Sequence, residues 1–341
     1  MHAAHGLHGL HGLHARPVPE LPEVETIARE LRPLLVGRRI TSAWFDWPNQ
    51  IKHPPAELFA GAVLGREILA VDRRAKWLVV SLGQPTGAPP ADPAAGQPTG
   101  HPAPADPAAG AAVLAIQVKM TGQLDVLPPD APTDQHVHVR FGLDNGEELR
   151  LRDVRKFARL GVYRRDEAGT ILGSDEAREL FAGHGPEPLD PEFTLREFRR
   201  LLRRRRARLK TLLMDQAFLA GVGNIYADEA LWRARLHPLR IAATLNVDQE
   251  RRLYHALREV LTEAIERRGS SVDDYRAPRG TGEMQKFLNV YGRTGKPCPR
   301  CGRPTRRIVV NARSTHFCAW CQRLPATQRA GAVRALLRQA R

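Results

Sequence analysis

The chain has 341 residues, 42% of them hydrophobic, and 52 lysines and arginines against 37 acids, a formal net charge of +15. That apolar content excludes global disorder and allows two domains with a small appendage. No apolar run reaches the roughly 18 residues of a membrane span and no secretory signal is present, so a cytoplasmic protein with a polyanionic partner is expected, nucleic acid before a membrane surface.

Residues 1–18 carry three HGL triplets and no amphipathic period, and read as a leader without a fold. Val24, Ile27, Ala28, Leu31, Leu34 and Leu35 then recur at helical spacing, so a helix is expected over Pro22–Leu35, with Pro22 in its first turn. From Ile40 to Leu82 the apolar runs shorten and predict strands. Residues 84–110 are a tandem duplication rich in Pro, Ala and Gly, which cannot bury a core and is expected to form a flexible surface loop. Strands resume at 113–127, and Asp144-Asn145-Gly146 between two alternating runs signals a hairpin. Three prolines and two glycines in 183–193 mark a linker between a sheet-rich domain over 19–182 and a helical region over 194–294. In the latter, Leu253, Leu257, Val260, Leu261, Ala264 and Ile265 define a helix that Gly269 can end. A cysteine module follows at 295–324, then a basic tail at 325–341 that can be helical.

All four cysteines lie in two pairs, Cys298/Cys301 and Cys318/Cys321. Two CxxC pairs at this separation fit a tetrahedral four-thiolate zinc site, and four protein ligands leave no open position, so one structural Zn2+ is expected. Arg300, Arg303, Arg306, Arg307 and Arg313 surround it, as suits a nucleic-acid-touching finger. The run RRRRARLK at 203–210 is more basic than solubility requires and suits phosphate contact. In GVGNIYADEALW at 221–232, Gly221 and Gly223 allow a sharp turn, and Asn224 falls near a helix start, where backbone N–H groups can hold a phosphate.

Four separated motifs, PELPEVET at 19–26, RRAKWL at 73–78, LMDQAFLAGVGNIYADEAL at 213–231, and VYGRTGKPCPRCG with THFCAWCQ within 290–322, give the chain a resemblance to formamidopyrimidine-DNA glycosylases over nearly its whole length. PELPEVE favours the branch acting on oxidised purines. The resemblance implies an α+β fold: an N-terminal β-sandwich with flanking helices, a helix-two-turn-helix domain, and a four-cysteine zinc finger. It implies a bacterial, nucleoid-associated monomer that acts on damaged double-stranded DNA in base excision repair.

The resemblance also assigns roles. A damaged base is flipped out of the duplex, and the N-terminal proline, here Pro19, attacks the sugar C1′ to form a Schiff base. Glu20 is the acid–base group, Lys76 serves β-elimination and Arg313 δ-elimination. His136, Arg155 and Arg206 match DNA-contacting positions, and Lys210 and Asn224 match phosphate contacts. Met120, Arg155 and Phe157 match the side chains that fill the gap left by the flipped base. Two positions depart from the family pattern: Gln117 stands where His is common, and DVRKFA at 153–158 lacks a Pro and a Gly. The loop that closes over oxidised guanine corresponds roughly to 270–285.

Behind a peptide bond, the Pro19 nitrogen is a tertiary amide and cannot form an iminium. The expectation is therefore that the working protein begins at Pro19, either because the leader is trimmed or because translation starts later, with Val18 in the place of an initiator Met, since GUG encodes valine and can start translation. The alternative is a lesion-binding protein without catalysis, which needs only the groove, the wedge and the finger. A general zinc-ribbon nucleic-acid binder would leave the motifs around Pro19 and Lys76 unexplained.

Overall fold

The structure is a computed structural model that describes residues 18–85, 111–175, 178–271, 276–278 and 280–339. Residues 1–17 of the leader, 86–110 of the duplicated insert and part of the 270–285 loop lie outside the described residues.

Helix α1 spans Leu21–Leu35, one residue longer than its apolar spacing predicts. Leu21, Val24, Ile27, Ala28, Leu31 and Leu35 are all buried, each large side chain contributing about 1.5–3 kcal/mol relative to exposure. The two ends of α1 enter different cores. Ile27, Leu31 and Leu35 pack into the sandwich, whereas Leu21 packs into the helical domain with Leu219 and Val222. The residues just before α1, Pro19 and Glu20, are thereby held at the seam.

The sandwich consists of two sheets. Strands β1 (Ile40–Phe45), β7 (Val137–Leu143), β8 (Glu148–Asp153) and β6 (Gly122–Leu127) form one, in the order β1-β7-β8-β6. Strands β2 (Ile51–His53), β9 (Arg159–Arg164), β5 (Ala112–Gln117), β4 (Trp77–Pro85) and β3 (Arg66–Arg74) form the other, in the order β2-β9-β5-β4-β3. Pairing is antiparallel except between β2 and β9. The turn at Asp144-Asn145-Gly146 joins β7 to β8, with Val139 opposite Leu151 and Phe141 opposite Leu149. These four share one core with Leu78, Val80, Leu114 and Ile116 of the other sheet. Between β2 and β3 the chain forms a helix, α2 (Ala56–Val63), where strands were expected. Phe59 and Val63, four residues apart, are its buried positions, a helical period hidden within a short segment.

The helical domain comprises α3 (Leu195–Arg203), α4 (Leu209–Leu213), α5 (Asn224–Arg233) and α6 (Val247–Glu266). Thr194 caps α3, accepting from the Glu197 N–H at 3.3 Å. Asn246 and Gln249 form a capping box on α6. Gly269, at φ +74°, closes α6 by donating to the Ala264 carbonyl at 2.7 Å. The finger hairpin is β10 (Arg306–Val310) with β11 (Arg313–Phe317), followed by α7 (Ala326–Gln339). The Glu229 carboxylate on α5 accepts the backbone N–H groups of Asn289, Val290 and Tyr291, each at 2.9 Å, which sews the segment entering the finger onto the helical domain. Among the described residues, no helix is long and apolar enough to cross a membrane.

Candidate active site and nucleic-acid interface

Glu20 is 2% exposed, and its carboxylate reaches across the seam to the first turn of α5. Oε1 accepts from the Ile225 N–H at 2.8 Å and Oε2 from the Tyr226 N–H at 3.4 Å. The start of a helix offers unpaired N–H groups and a partial positive charge, so a carboxylate is stabilised there. The approach requires glycine at 223: a Cβ there would sit 2.3 Å from the Glu20 carboxyl carbon. Burial nevertheless dominates and raises the Glu20 pKa, against lowering by Lys76, the Ile225 N–H and Lys210. Glu23, one turn on, accepts from the Glu20 N–H at 2.9 Å, from the Ser270 N–H at 2.8 Å and from the Tyr226 hydroxyl. Its pKa is pushed up to about 7 by burial and then by the neighbouring charge of Glu20.

Lys76 sits in the two-residue turn between β3 and β4, where Arg74 pairs with Trp77. Glu187, from the interdomain segment, holds that turn: Oε1 accepts from the Ala75 N–H at 2.6 Å and from Arg74 at 2.9 Å, and Oε2 from Arg73 at 2.8 Å. The Lys76 pKa is lowered, first by burial and also by Arg313, while Glu20 and Glu23 oppose the shift. A carboxyl driven toward its neutral acid beside an ammonium driven toward its neutral amine is an arrangement suited to proton transfer.

Pro19, Glu20, Lys76, Met120, Phe157, Asn224 and Arg313 line one cavity of about 530 Å³, together with Asn49, Lys52, Gln117, Lys119, Lys156 and Arg159. Six of its lining residues are Lys or Arg and one is acidic, so the cavity attracts a polyanion. The Oδ1 atom of Asn224 is buried without a hydrogen-bond partner and so has capacity for a ligand.

Beside Met120 and Phe157 of the cavity lining, the Arg155 guanidinium lies 4.5 Å from the Phe157 ring centroid and 3.3 Å from the Met120 sulfur. Phe157 is 46% exposed. The two loops carrying this trio, 118–121 and 154–158, are fixed from behind by Asp153, which is fully buried. Its Oδ1 accepts from the Thr121 hydroxyl and from the Arg155 N–H at 3.3 Å, and its Oδ2 from Gln50 at 3.0 Å and the Ala158 N–H at 2.7 Å. Lys156, between Arg155 and Phe157, has φ +55°, and its ammonium lies 4.3 Å from the Trp47 ring centroid.

The sulfur atoms of Cys298, Cys301, Cys318 and Cys321 lie within 4.8 Å of one another. Four thiolates about 2.3 Å from one zinc ion would be roughly 3.8 Å apart, so the donor set fits. Burial and the adjacent thiols push Cys321 up to about 12, a repulsion that a bound dication would relieve. Trp232 donates its indole N–H to the Cys298 sulfur at 3.4 Å, and Arg300 stacks on the Trp232 ring at 4.1 Å.

The sequence matches the family model of the formamidopyrimidine-DNA glycosylase N-terminal domain over residues 18–160 and that of the family's H2TH domain over 184–276. Residues 295–324 match the zinc finger found in FPG and IleRS. The formamidopyrimidine-DNA glycosylase of Chloroflexus aurantiacus is 45% identical over 301 residues, covering 88% of this chain and 95% of that protein.

The chain belongs to the formamidopyrimidine-DNA glycosylase family.

Structural likeness agrees. The MutM (FPG) protein of Thermus thermophilus superposes with a TM-score of 0.71 at 39% identity, covering 89% of this chain and 98% of that one. Wild-type Lactococcus lactis Fpg in complex with an N7-benzyl-Fapy-dG-containing DNA gives 0.74 at 32%, covering 90% and 100%. The family fold expected from the motifs, a sandwich followed by a helix-two-turn-helix domain and a zinc finger, is the one observed.

One expected glycosylase contact needs correction. Lys210 is 0% exposed, and its ammonium donates to Asp228 Oδ1 and to the Asn224 carbonyl, each at 2.7 Å. A cation so enclosed is not a phosphate contact in this conformation. It ties α4 to α5, while the other oxygen of Asp228 accepts the His316 N–H of the finger at 2.7 Å. His136 is half-buried ahead of β7, and Arg206 is exposed between α3 and α4; neither lines the cavity. Sequence reasoning passed over Glu23, Asn49, Lys52, Lys119, Asp153 and Glu187. Of these, only Asp153 carries a local signal: an Asp whose side chain accepts the N–H two residues on is an Asx turn.

Proposed function

We propose that this family member excises oxidised purines such as 8-oxoguanine and formamidopyrimidines from duplex DNA and then nicks the strand, acting with a free Pro19 nitrogen. The observation that carries the reading is the convergence of Pro19, Glu20, Lys76 and Arg313, from three separate parts of the chain, on one cationic cavity. The match to the family's N-terminal domain model begins at residue 18, one residue ahead of Pro19, which supports a working start at that point.

In this reading the Pro19 lone pair attacks C1′ of the flipped nucleotide as the C1′–N bond to the base breaks, and the departing base takes up a proton. Glu20, its pKa raised by burial, supplies or relays a proton at the base or the ribose oxygen. Opening of the sugar leaves an iminium between Pro19 and C1′. Loss of a C2′ proton then expels the 3′ phosphate, with Lys76 assisting, and loss of a C4′ proton expels the 5′ phosphate, with Arg313 assisting. Water hydrolyses the iminium and restores the amine. Met120, Arg155 and Phe157 occupy the space vacated in the stack, Asn224 takes a phosphate at the start of α5, and His136 and Arg206 contact the duplex outside the cavity. Cys298, Cys301, Cys318 and Cys321 hold one structural Zn2+, whose role is to fold the finger carrying Arg313. The protein acts as a cytoplasmic, nucleoid-associated monomer.

The test is a single-turnover assay of the form beginning at Pro19, on duplexes with and without one 8-oxoguanine. Release of the free oxidised base and a nick at the lesion alone are expected. Tight lesion binding with no base release would instead establish the lesion-binding alternative, which an acylated Pro19 nitrogen favours.

A further inference from the structure

Helix α7 lies beyond the residues matched by the zinc-finger model, which ends at 324, and it touches two parts of the molecule at once. Ala332 is 4% exposed and packs with Leu239 of the helical domain and Val310 of β10. Gln328 accepts the Ile241 N–H through Oε1 and donates through Nε2 to the Thr244 hydroxyl, both at 3.0 Å. Arg208 donates to the Gly331 carbonyl at 2.9 Å. On the other side, Val310 is the strand partner of Arg313 at the closed end of the finger hairpin, and Arg313 lines the cavity.

A two-stranded hairpin is marginal by itself, and this one must present an exposed arginine to a reacting centre. Near its tip, Asn311 donates to the Thr211 hydroxyl at 3.2 Å, an exposed hydrogen bond of modest net worth. The buried contact of Val310 with Leu239 and Ala332 lies beside that tip and excludes water. An alanine at 332 lets the α7 backbone come close, and the Gln328 bonds fix the helix against the 241–244 turn.

We infer that α7 is a positioning clamp: through Ala332 and Gln328 it fixes the β10–β11 hairpin to the helical domain and so sets how well Arg313 supports the second elimination. The chemical half of this inference rests on the proposed role of Arg313; the mechanical half does not.

The experiment compares Ala332→Glu, Gln328→Ala and the conservative Ala332→Ser with the parent and with Arg313→Ala, all zinc-loaded and beginning at Pro19. It reads hydrogen exchange of the β10–β11 amides, base release, and the proportion of β- to β,δ-elimination products on a duplex with one abasic site. Ala332→Glu is expected to speed hairpin exchange and raise the β-only proportion about tenfold, within the roughly 10²-fold that a misplacement of 1 Å can cost, with base release close to parent. Gln328→Ala should give a smaller change in the same direction, and Ala332→Ser should retain parental behaviour. Unchanged hairpin exchange in Ala332→Glu overturns the clamp. Faster exchange with an unchanged product ratio overturns its link to Arg313, provided Arg313→Ala alters that ratio. If Arg313→Ala leaves the ratio unchanged, the assignment of Arg313 fails, while faster exchange in Ala332→Glu still upholds the clamp.

Discussion

On one side of the cavity Glu20 lines the wall and Glu23 lies behind it, both buried and held by backbone donors from α5 and Ser270. On the other, Arg155 and Phe157 stand in solvent, one stacked on the other. The first wall fixes charge in a dry setting, where aligned donors act strongly and need no rearrangement during reaction. The second keeps the apolar surface of Phe157 exposed. Its order comes from behind, through Asp153, and it holds Lys156 in left-handed backbone at an expense of about 1–2 kcal/mol. Substitutions on the first wall should therefore change rate constants, and those on the second should change binding to the lesion.

Glu20→Gln should produce the largest effect. Base release is expected to fall by about 10²–10⁴-fold, the usual span for a general acid–base group, with lesion-duplex affinity nearly unchanged. An affinity loss as large as the rate loss would erase the contrast between the walls.

Zinc removal should act on the side that carries Arg313. One zinc per chain is expected by metal analysis. Chelation should abolish tight duplex binding, because the metal supplies the folding energy of such a finger, while the thermal transition of the sandwich stays in place. A gently purified protein lacking zinc would contradict this.

Asp153 and Phe157 separate support from contact on the exposed wall. Asp153→Ala removes the acceptor of Gln50, Thr121 and the Ala158 N–H and leaves the Arg155 N–H only the Thr121 hydroxyl, so denaturant unfolding should show a loss of about 3 kcal/mol. Phe157→Ala should leave stability within about 0.5 kcal/mol, as exposed positions do, yet weaken lesion binding roughly tenfold through lost stacking. Equal stability losses in both variants would mean that the loop packs as ordinary core.

The pH dependence of stability concerns Glu23. Its pKa is raised from 4.5 to about 7, so between those values the folded protein binds more protons than the unfolded chain. Stability is then complete below about pH 4.5 and declines as pH rises through 7, by roughly 3 kcal/mol if no other group compensates. Glu23→Gln should flatten that decline. A slope unaltered by the substitution would remove Glu23 as its source.

Much of this was readable from local pattern. The α1 and α6 helices follow apolar spacing, the β7–β8 hairpin follows Asn145-Gly146, and the four cysteines announce their own cluster. What escaped reading depends on distant partners. Lys210 lies in a basic run that looks like phosphate-binding surface, but Asp228, 18 residues on, and the finger enclose it. Glu187 looks like linker composition until the turn at Ala75, 112 residues away, closes on it. The α2 helix is too short for its period to outweigh the strand-like runs around it. Pro19 and Glu20 stand out only through the PELPEVET motif and not through composition; their position comes from α1 crossing between two cores.

The central claim is that Pro19 is the nucleophile and must be a free secondary amine. Borohydride trapping tests it directly, because reduction locks a Schiff base into a covalent protein–DNA adduct. Two forms, one of 341 residues and one with only an initiator Met before Pro19, with removal of that Met verified by intact mass, are each mixed with duplex DNA containing 8-oxoguanine and reduced. The short form is predicted to crosslink, with Pro19→Gly changing or weakening the adduct, and the long form is predicted to give none. Equal crosslinking by a long form shown by mass to be unprocessed would contradict the account.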